Sequence, residues 1–261
     1  MTSFSSQILE SIEFAAELVR SARHVVVLTG AGISTPSGIP DFRSEGTGLW
    51  SHDRPMEVAS LTTFRTHPDV FFQWFRPLAG QIFYAKPNAA HFALARLEER
   101  GLIQAVLTQN IDMLHHKAGS KRVYELHGTL RTLSCTQCYR QYGYDNHLKP
   151  FIEDGKIPYC PDCSAILKPD VILFGEQLPQ KTLFAAQQEV RECDLIIVIG
   201  SSLEVLPVAG LPMQAIDRGA HLIIINNGPT YLNVRADIVL PEDVARIIPA
   251  IAERVLDDNE K

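Results

Sequence analysis

The sequence has no excess of positive charge, no long apolar run and no basic segment at its start. It carries 24 Lys and Arg against 30 Asp and Glu, a net charge of −6, which argues against a broad nucleic-acid-binding surface. No apolar stretch reaches the about 20 residues that a membrane helix needs. The opening, MTSFSSQILESIEF, moves straight into helical spacing rather than an apolar core, so we expect no secretory signal and a cytoplasmic protein.

Cysteine is scarce, and its placement favours a metal over disulfide bonds. Four of the five cysteines form two Cys-x-x-Cys pairs, Cys135 with Cys138 and Cys160 with Cys163. Two such pairs converge on one tetrahedral zinc with four thiolates, which leaves no open position for a water. Surface cysteines or two disulfides are the alternative. Cys193 lies alone beside a predicted strand and is expected in the core rather than as a nucleophile.

Apolar segments that alternate with helical patterns predict a doubly wound α/β fold. Residues 6–21 and 89–101 have helical spacing, and the second segment ends on a glycine. The predicted strands are HVVVLTG (24–30), IQAVLTQN (103–110), DLIIVIGSS (194–202), HLIIINNG (221–228) and ADIVL (236–240). Strands that are apolar throughout fit a parallel sheet with helices on both faces. Ligands bind at the carboxyl ends of such strands, so four of the strand tips are candidates for one site.

One segment, 133–166, breaks this alternation. It is rich in Cys, Tyr, Pro and Gly and lacks a long helical period. We interpret it as a small inserted module, which leaves residues 1–132 and 167–261 for the nucleotide-binding domain. The tail DDNEK is expected to be disordered.

The tip of the first strand has the pattern of a phosphate-binding turn. In LTGAGISTPSG, Gly30 and Gly32 permit a tight turn and close backbone approach to a diphosphate. The fingerprint is imperfect, because Thr35 replaces the third glycine and no acidic residue ends a second strand about 20 positions on. An ordinary βα turn is the alternative. The following GIPDFRSEGTGLW, with Phe42 and Trp50 among turn residues, indicates a loop that folds over a ligand.

Two further strand tips carry polar side chains. TQNID places Gln109, Asn110 and Asp112 after an apolar strand, where a buried polar group needs a hydrogen bond or a ligand. Capping the next helix is the alternative role of Asp112. His127 follows a short apolar stretch, and on general grounds a structural or exposed histidine is as reasonable there as a functional one.

These motifs together resemble the sirtuin family of NAD-dependent protein lysine deacylases, and most closely its undifferentiated bacterial and archaeal type. The resemblance covers nearly the whole chain in order. The matching segments are GAGIS (30–34), GIPDFR (38–43), TQNID (108–112), HG (127–128), the four paired cysteines, KPDVILFGE (168–176), GSSLEV (200–205) and NN (226–227).

The resemblance implies a Rossmann-like NAD-binding domain, an inserted zinc-ribbon domain and a cleft between them for NAD and an acyl-lysine peptide. The implied NAD contacts are Gly30, Ala31, Gly32, Ser34, Thr35, Asp41, Phe42, Arg43, Gln109, Asn110, Ile111, Asp112, His127, Gly200, Ser201, Ser202, Asn226, Asn227, Gly228 and Asp243. The implied peptide contacts are Val171, Ile172, Phe174, Gly175, Glu176, Leu203 and Val205. Between these two segments the peptide adds as a strand through main-chain hydrogen bonds, which tolerates many peptide sequences.

The resemblance also implies the chemistry. In the family the acyl oxygen displaces nicotinamide from C1′ of the ribose, and a base then activates a ribose hydroxyl, giving free lysine, nicotinamide and 2′-O-acyl-ADP-ribose. His127 is the implied base, with Asn110 and Asp112 at the nicotinamide and ribose end, and zinc makes no chemical contribution. Mono-ADP-ribosyl transfer is the alternative activity. An inactive zinc-ribbon interaction module is a third reading, and neither the acidic charge nor the intact catalytic set favours it.

Two departures from the family pattern bear on substrate choice. Members specialised for acidic acyl groups carry Tyr-x-x-Arg in the helix after the loop, whereas FFQWFRPLAG offers Arg76 with Gln73 three positions earlier. We therefore expect acetyl and neutral longer acyl groups, rather than succinyl, as substrates. Ser201 stands where many members have threonine, and it keeps the hydroxyl.

Overall fold

The computed structural model describes residues 4–41, 48 and 54–257. Of the predicted loop over the ligand, Phe42, Arg43 and Trp50 lie outside the described residues, as do the last four residues of the predicted disordered tail. No helix of the described part combines the length and the apolarity needed to cross a membrane.

The centre of the fold is a six-stranded sheet in which all neighbouring strands are parallel. Its order is β3-β2-β1-β7-β8-β9. These strands are β1 (Val25–Thr29), β2 (Ala105–Thr108), β3 (Val123–Glu125), β7 (Leu195–Ile199), β8 (His221–Ile225) and β9 (Ile238–Leu240). Every residue of β1, β2 and β7 is buried. The predicted parallel sheet is confirmed, and its strand order reverses between β1 and β7.

Helices cover both faces of this sheet. One face packs against α1 (Ser6–Ser21), α5 (Ala89–Glu99) and α10 (Val244–Asp257), and the other against α8 (Gln180–Glu192) and α9 (Leu211–Ile216). Side chains of β1 alternate between the two cores, with Val25 and Val27 on the first face and Val26 and Leu28 on the second. This explains why the strands are apolar throughout.

Local signals start and stop these helices. The Ser5 side chain accepts the Ile8 N–H at the start of α1, and Asn88 forms a capping box with His91 at the start of α5. Gly101 takes the left-handed φ of +73° just after α5. The predicted ends at residues 6, 21 and 101 are therefore confirmed.

A second, antiparallel sheet carries the cysteine segment. Its order is β5-β4-β6, with β4 (Gly128–Cys135), β5 (Gln141–Gly143) and β6 (Leu167–Val171). Beside it lie α2 (Pro55–Val58), α3 (Leu61–Thr66), α4 (Pro68–Tyr84), α6 (Leu114–Ala118) and α7 (Asp145–Asp154). A third apolar core joins this sheet to α3, α4 and α7 through an aromatic cluster in which Phe151 contacts Phe72 at 5.2 Å between ring centroids.

Candidate active site and zinc site

The tips of β1 and β7 are joined by close backbone packing of three glycines. Gly30 N–H donates to the Ile199 carbonyl and Gly32 N–H to the Gly200 carbonyl, over 3.0 and 2.9 Å. A Cβ on Gly30 would lie 2.6 Å from the Gly200 oxygen, and one on Gly32 would lie 2.7 Å from the Gly200 Cα. Gly200 itself has a left-handed φ of +59°. These glycines therefore allow the two strand tips to touch, a reason that the phosphate-turn interpretation did not include.

Ser34, Asn110 and Asp112 form one buried hydrogen-bond network at this edge of the sheet. The Asn110 side-chain amide donates to the Gly30 carbonyl over 3.0 Å and to Ser34 Oγ over 3.2 Å. The Ser34 hydroxyl donates to Asp112 Oδ2 over 2.6 Å. All three side chains are buried. The predicted tips of β1 and β2 are thus brought together.

Asp112 supports the start of the next helix, the alternative role that the sequence left open, and also bonds within the network. Its Oδ1 accepts the Leu114 N–H over 2.9 Å at the start of α6, while Oδ2 faces Ser34. Burial raises the pKa of this carboxyl, and the two hydrogen bonds oppose that rise. Met113, between the aspartate and the helix, takes a left-handed φ of 63°, a conformation that bulky residues rarely adopt. The strained turn aims the carboxylate at the network.

His127 has the hydrogen-bond pattern of a neutral imidazole with a bare Nε2. Its Nδ1 lies 3.1 Å from the Gln109 carbonyl oxygen, which can only accept, so the neutral ring carries its proton at Nδ1. Its Nε2 is buried and has no partner among the described residues. Burial lowers the pKa of His127, and the bond to Gln109 partly offsets this. Gln109 in turn donates to Ser201 Oγ over 2.8 Å, which links the tips of β2 and β7.

The remaining predicted NAD contacts form an outer group with mostly local bonds. Asn226 donates to the Gly228 carbonyl over 2.7 Å, and Asp243 accepts the Ala245 N–H at the start of α10. Asn227, Gly228 and Asp243 are exposed. Their positions after β8 and β9 put them at the same sheet edge. The last group comprises Ala31, Thr35, Asp41, Ile111 and Ser202, all of them exposed or half-buried.

The predicted peptide segment 171–176 is tied directly to His127. Ile172 N–H donates to the His127 carbonyl over 2.8 Å. Both main-chain groups of Phe174 form hydrogen bonds. Its N–H donates to the Ala59 carbonyl, and its carbonyl accepts the Leu61 N–H. Lys168 Nζ lies 2.9 Å from Glu176 Oε2, which also accepts the Leu173 N–H. An ion pair and a short parallel bridge thus hold this segment beside the histidine.

The other predicted peptide segment follows the tip of β7. Leu203 is buried with a left-handed φ of 56°, and its N–H donates to Ser201 Oγ over 3.3 Å. Val205 is half-buried. The hydroxyl predicted to contact NAD therefore also supports the turn into this peptide segment.

The four paired cysteines form a cluster that fits one zinc ion. All four Sγ atoms lie within 4.8 Å of one another. The Cys135 to Cys163 and Cys138 to Cys160 separations are 3.4 and 3.7 Å, close to the about 3.8 Å expected for a tetrahedron with zinc–sulfur bonds near 2.3 Å. His127 is not part of this cluster.

The two halves of the cluster repeat one backbone geometry. Tyr139 N–H donates to the Cys135 carbonyl, and Ser164 N–H donates to the Cys160 carbonyl. Both of these following residues have φ near +60°. The N–H groups of Gln137 and Cys138 point at Cys135 Sγ over 3.4 Å, which suits a thiolate. Cys193 is buried in the core, as predicted, with its Sγ near the Val190 carbonyl.

Two buried residues behind this site, Thr29 and His115, were not predicted, and Thr108, at a predicted strand tip, was assigned no role. Thr29 and Thr108 end β1 and β2 as register partners, and their hydroxyls lie 2.8 Å apart. His115 Nε2 lies 3.0 Å from Thr29 Oγ1. A polar residue at the end of an otherwise apolar strand was the available signal for the two threonines. Nothing in the pattern distinguished His115 from its neighbour His116.

Comparison with known proteins identifies the family. The Sir2 family pattern matches residues 30–207. The chain is 45% identical to the NAD-dependent protein deacylase 2 of Archaeoglobus fulgidus over 247 residues, 94% of this chain and 96% of the relative. It is 43% identical to the NAD-dependent protein deacetylase of Sulfolobus acidocaldarius over 248 residues, 95% and 96% of the two chains.

Solved structures agree. A structure that reports the basis for the mechanism and regulation of Sir2 enzymes has a TM-score of 0.89 at 43% identity, covering 97% of this chain and 99% of the other. A complex of Sir2 with a p53 peptide and NAD+ has a TM-score of 0.82 at 40% identity, covering 94% and 96%. With most of the chain matched in sequence and in fold, this protein belongs to the Sir2, or sirtuin, family.

Proposed function

We infer that this protein is an NAD-dependent protein lysine deacetylase or deacylase that transfers the acyl group to ADP-ribose and releases nicotinamide. Its relatives carry that activity in their names, and one solved Sir2 relative holds a propionylated peptide. The observation in this chain that carries the inference is the His127 Nε2. This nitrogen is buried, has no partner within the described ranges, and belongs to a residue bonded directly to the predicted peptide segment.

The strand tips fit a bound NAD. The Ser34, Asn110 and Asp112 network supplies polar groups in a buried setting beside the tips of β1 and β7, whose glycines pack backbone to backbone. When bound, NAD would supply a ribose carbon at which the acyl oxygen displaces nicotinamide. It would also supply the ribose hydroxyls that receive the acyl group. We assign the recognition of the nicotinamide and ribose end to Asn110 and Asp112, whose burial keeps water from that carbon.

His127 acts as the general base in this proposal. Its Nε2 accepts a proton from a ribose hydroxyl, and the resulting imidazolium keeps its Nδ1–H on the Gln109 carbonyl. The carbonyl both fixes the tautomer and stabilises the charge that forms. The lowered pKa keeps the ring neutral, and therefore competent, at neutral pH.

Peptide recognition is assigned to the segments 171–176 and 203–205. Because Phe174 is bonded on one side to residues 59–61, the substrate strand adds on its other side, between Phe174 and the turn after β7. The bond from Ile172 to the His127 carbonyl couples the peptide position to the base.

Neutral acyl groups are the proposed substrates. Arg76 Nε and Nη2 donate to the carbonyls of Ile152 and Glu153 at the end of α7, over 3.0 and 2.7 Å. Its guanidinium is therefore committed to a helix end. Phe72 and Phe75 are buried in the aromatic cluster and offer no charge for an acidic acyl group. We expect acetyl and longer neutral acyl groups to be removed and succinyl to be left.

The zinc has a structural part in this proposal. Four sulfur ligands complete its coordination, so no step of the reaction passes through the metal. Reduced, metal-bound thiolates are consistent with action in the cytoplasm, and the net charge of −6 with action on proteins rather than on nucleic acid.

The test is an incubation with an acetyl-lysine peptide and NAD. We expect loss of acetyl, release of nicotinamide and formation of acyl-ADP-ribose in equal amounts. Nicotinamide release that instead leaves ADP-ribose attached to protein would favour mono-ADP-ribosyl transfer. Absence of both acetyl loss and nicotinamide release would overturn the proposal. A succinyl-lysine peptide run in parallel tests the acyl preference.

A further inference from the structure

A chain of buried hydrogen bonds runs from His115 to the main chain of Asn110. His115 is 2% exposed, and its Nε2 lies 3.0 Å from Thr29 Oγ1. The Thr29 hydroxyl donates to Thr108 Oγ1 over 2.8 Å. The same Thr108 oxygen accepts the Asn110 N–H over 3.0 Å. Because Thr29 and Thr108 are register partners at the ends of β1 and β2, this relay lies directly behind the site.

The direction of these bonds fixes the protonation of His115. Thr29 has one hydroxyl proton, which it gives to Thr108, so its oxygen accepts from an Nε2–H. Burial lowers the pKa of His115 well below its ordinary value and keeps the ring neutral. Nδ1 then has a bare lone pair, and it has no partner among the described residues.

An unpaired buried nitrogen destabilises the fold, so stability alone is a poor reason for a histidine at this place. An apolar side chain of similar size would bring no unpaired nitrogen into the core. The Thr29 hydroxyl would still have Thr108 as its hydrogen-bond partner. The histidine instead donates into a chain of hydroxyls that ends on a residue of the site. Such a chain of hydrogen bonds is typical of a side chain that orients another residue, here Asn110.

We propose that His115 is a positioning residue, which acts through Thr29 and Thr108 to hold Asn110 in place for the reaction. This rests on the proposed function. The Thr108 hydroxyl closes a two-residue turn at the end of β2, and that turn directs the Asn110 amide to Gly30 and Ser34. The Ser34 hydroxyl in turn donates a hydrogen bond to Asp112. A shift of the Asn110 main chain therefore displaces both groups assigned to the nicotinamide and ribose end.

The test compares pairs of variants that differ in one hydroxyl. Thr29→Val and Thr108→Val interrupt the relay with little change of shape, whereas Thr29→Ser and Thr108→Ser keep it. Misplacement of a reacting group by about 1 Å costs up to about 100-fold in rate, so we expect the valine variants to lose at least about tenfold in kcat. The KM for the acetyl peptide and the zinc content stay unchanged, and the serine variants keep most of the activity.

His115 is tested in the same way. His115→Leu lowers kcat as the valine variants do, and the double variant His115→Leu with Thr29→Val is no slower than Thr29→Val alone, because both act through one relay. His116→Gln is the matched control in the same helix. His116 has no bond to the threonines, its nearest carboxylate being Glu125 at 3.8 Å, and its replacement leaves kcat unchanged.

Three results would overturn the relay: wild-type kcat in Thr29→Val, equal losses in the serine and valine variants, or additive losses in the double variant. Should Thr29→Val not fold, Thr108→Val and His115→Leu carry the same comparison. A wild-type protein without NAD-dependent turnover contradicts the proposed function instead. NAD affinity measured by calorimetry then decides the relay, which is wrong if Thr29→Val binds NAD as tightly as the wild type.

Discussion

At the scale of the residue, His127 combines a fixed tautomer with a bare, buried Nε2 beside the predicted peptide segment. The ring is half-buried, its lowered pKa keeps it neutral, and its shielded Nε2 has no partner in the described part of the chain, which keeps it available. A buried polar atom without a partner costs stability, and the proposed role as a base accounts for its presence here. The bond from Nδ1 to Gln109 is what makes the free nitrogen the basic one.

His127→Ala tests this assignment. We expect kcat to fall by about 100-fold to 10,000-fold, the usual contribution of a general base, with zinc content and fold intact. In the wild type the acid limb of kcat/KM should lie below pH 6.5, because burial lowers the pKa of the base. Metal analysis and a pH profile make the measurement. Loss of zinc from this variant would show that the histidine had been misassigned.

His91 predicts how stability depends on pH. Burial lowers its pKa from 6.5 to about 4, and its side chain accepts the Asn88 N–H at the start of α5. In the unfolded chain His91 binds a proton below about pH 6.5, whereas in the folded chain it does so only near pH 4. The free energy of unfolding therefore decreases as the pH falls from about 6.5 to 4. Between pH 7 and 5 this residue should remove about 2 kcal/mol from the unfolding free energy.

The comparison for His91 is His91→Gln, since Gln preserves a capping box. Urea unfolding at pH 7 and 5 should show a smaller loss in this variant than in the wild type. His67→Gln, on an exposed histidine, is the control and keeps the wild-type loss. An unchanged pH dependence in His91→Gln would refute the assignment.

At this scale the sequence predicts the positions of side chains that directly follow a strand. It does not predict contacts between side chains that are distant in the sequence. Asn110, Asp112 and His127 follow apolar strands, so their place at the sheet edge was predictable. His115 lies on a five-residue helix, where its partner Thr29 is remote in sequence and no periodicity reports it. Likewise, the glycines were predicted to serve a ligand, and their contact with Gly200 depends on the order of the strands.

At the scale of the element, α7 is a helix within the cysteine segment, where the sequence predicts no long helical period. Pro150 lies inside it, no side chain caps its start, and only Leu148 and Phe151 are buried. Its end is stabilised from outside by Arg76 of α4. Local signals are present at its ends, Asp145 in the first turn and Gly155 with a left-handed φ of 75° at the C-cap, and tertiary contacts stabilise the rest of the helix.

Arg76→Met should therefore destabilise the protein. It removes two charge-assisted hydrogen bonds to carbonyls at the end of α7, and we expect about 2 kcal/mol less unfolding free energy. Lys149→Met is the control on the same helix. It breaks only a surface pair with Glu153 at 3.9 Å and should cost at most about 0.5 kcal/mol. Equal losses in urea unfolding would mean that Arg76 does not hold the helix.

At the scale of the whole molecule, the parallel sheet was predictable and the third core was not. Apolar strands that alternate with helices imply the sheet, its two covered faces and a site at its carboxyl edge. The assembly of α3, α4 and α7 around the cysteine segment joins residues from Ile39 to Leu173. Such contacts between distant segments have no periodic signature. The division of the chain at residues 133 and 166 stays a prediction.

This third core makes zinc matter to catalysis without any part in the chemistry. Cys135 ends β4, which begins next to His127, and β6 pairs with β4 and leads into Ile172, whose N–H bonds the His127 carbonyl. Phe151 of α7 links the same unit to Phe72 of α4. Metal binding that orders the cysteines therefore also orders the strands that hold His127 and the predicted peptide segment.

Cys135→Ala should accordingly lose zinc, melt at a lower temperature and lose deacylase activity together, because folding of this unit is coupled to the metal. Cys193→Ala is the control, since that buried cysteine lies in the core beside α8 and should keep full zinc and activity. Metal analysis, thermal unfolding and turnover are measured on both. Full zinc and an unchanged melting temperature in Cys135→Ala would refute the four-cysteine site. Zinc loss with full activity would instead refute the coupling between the metal and His127.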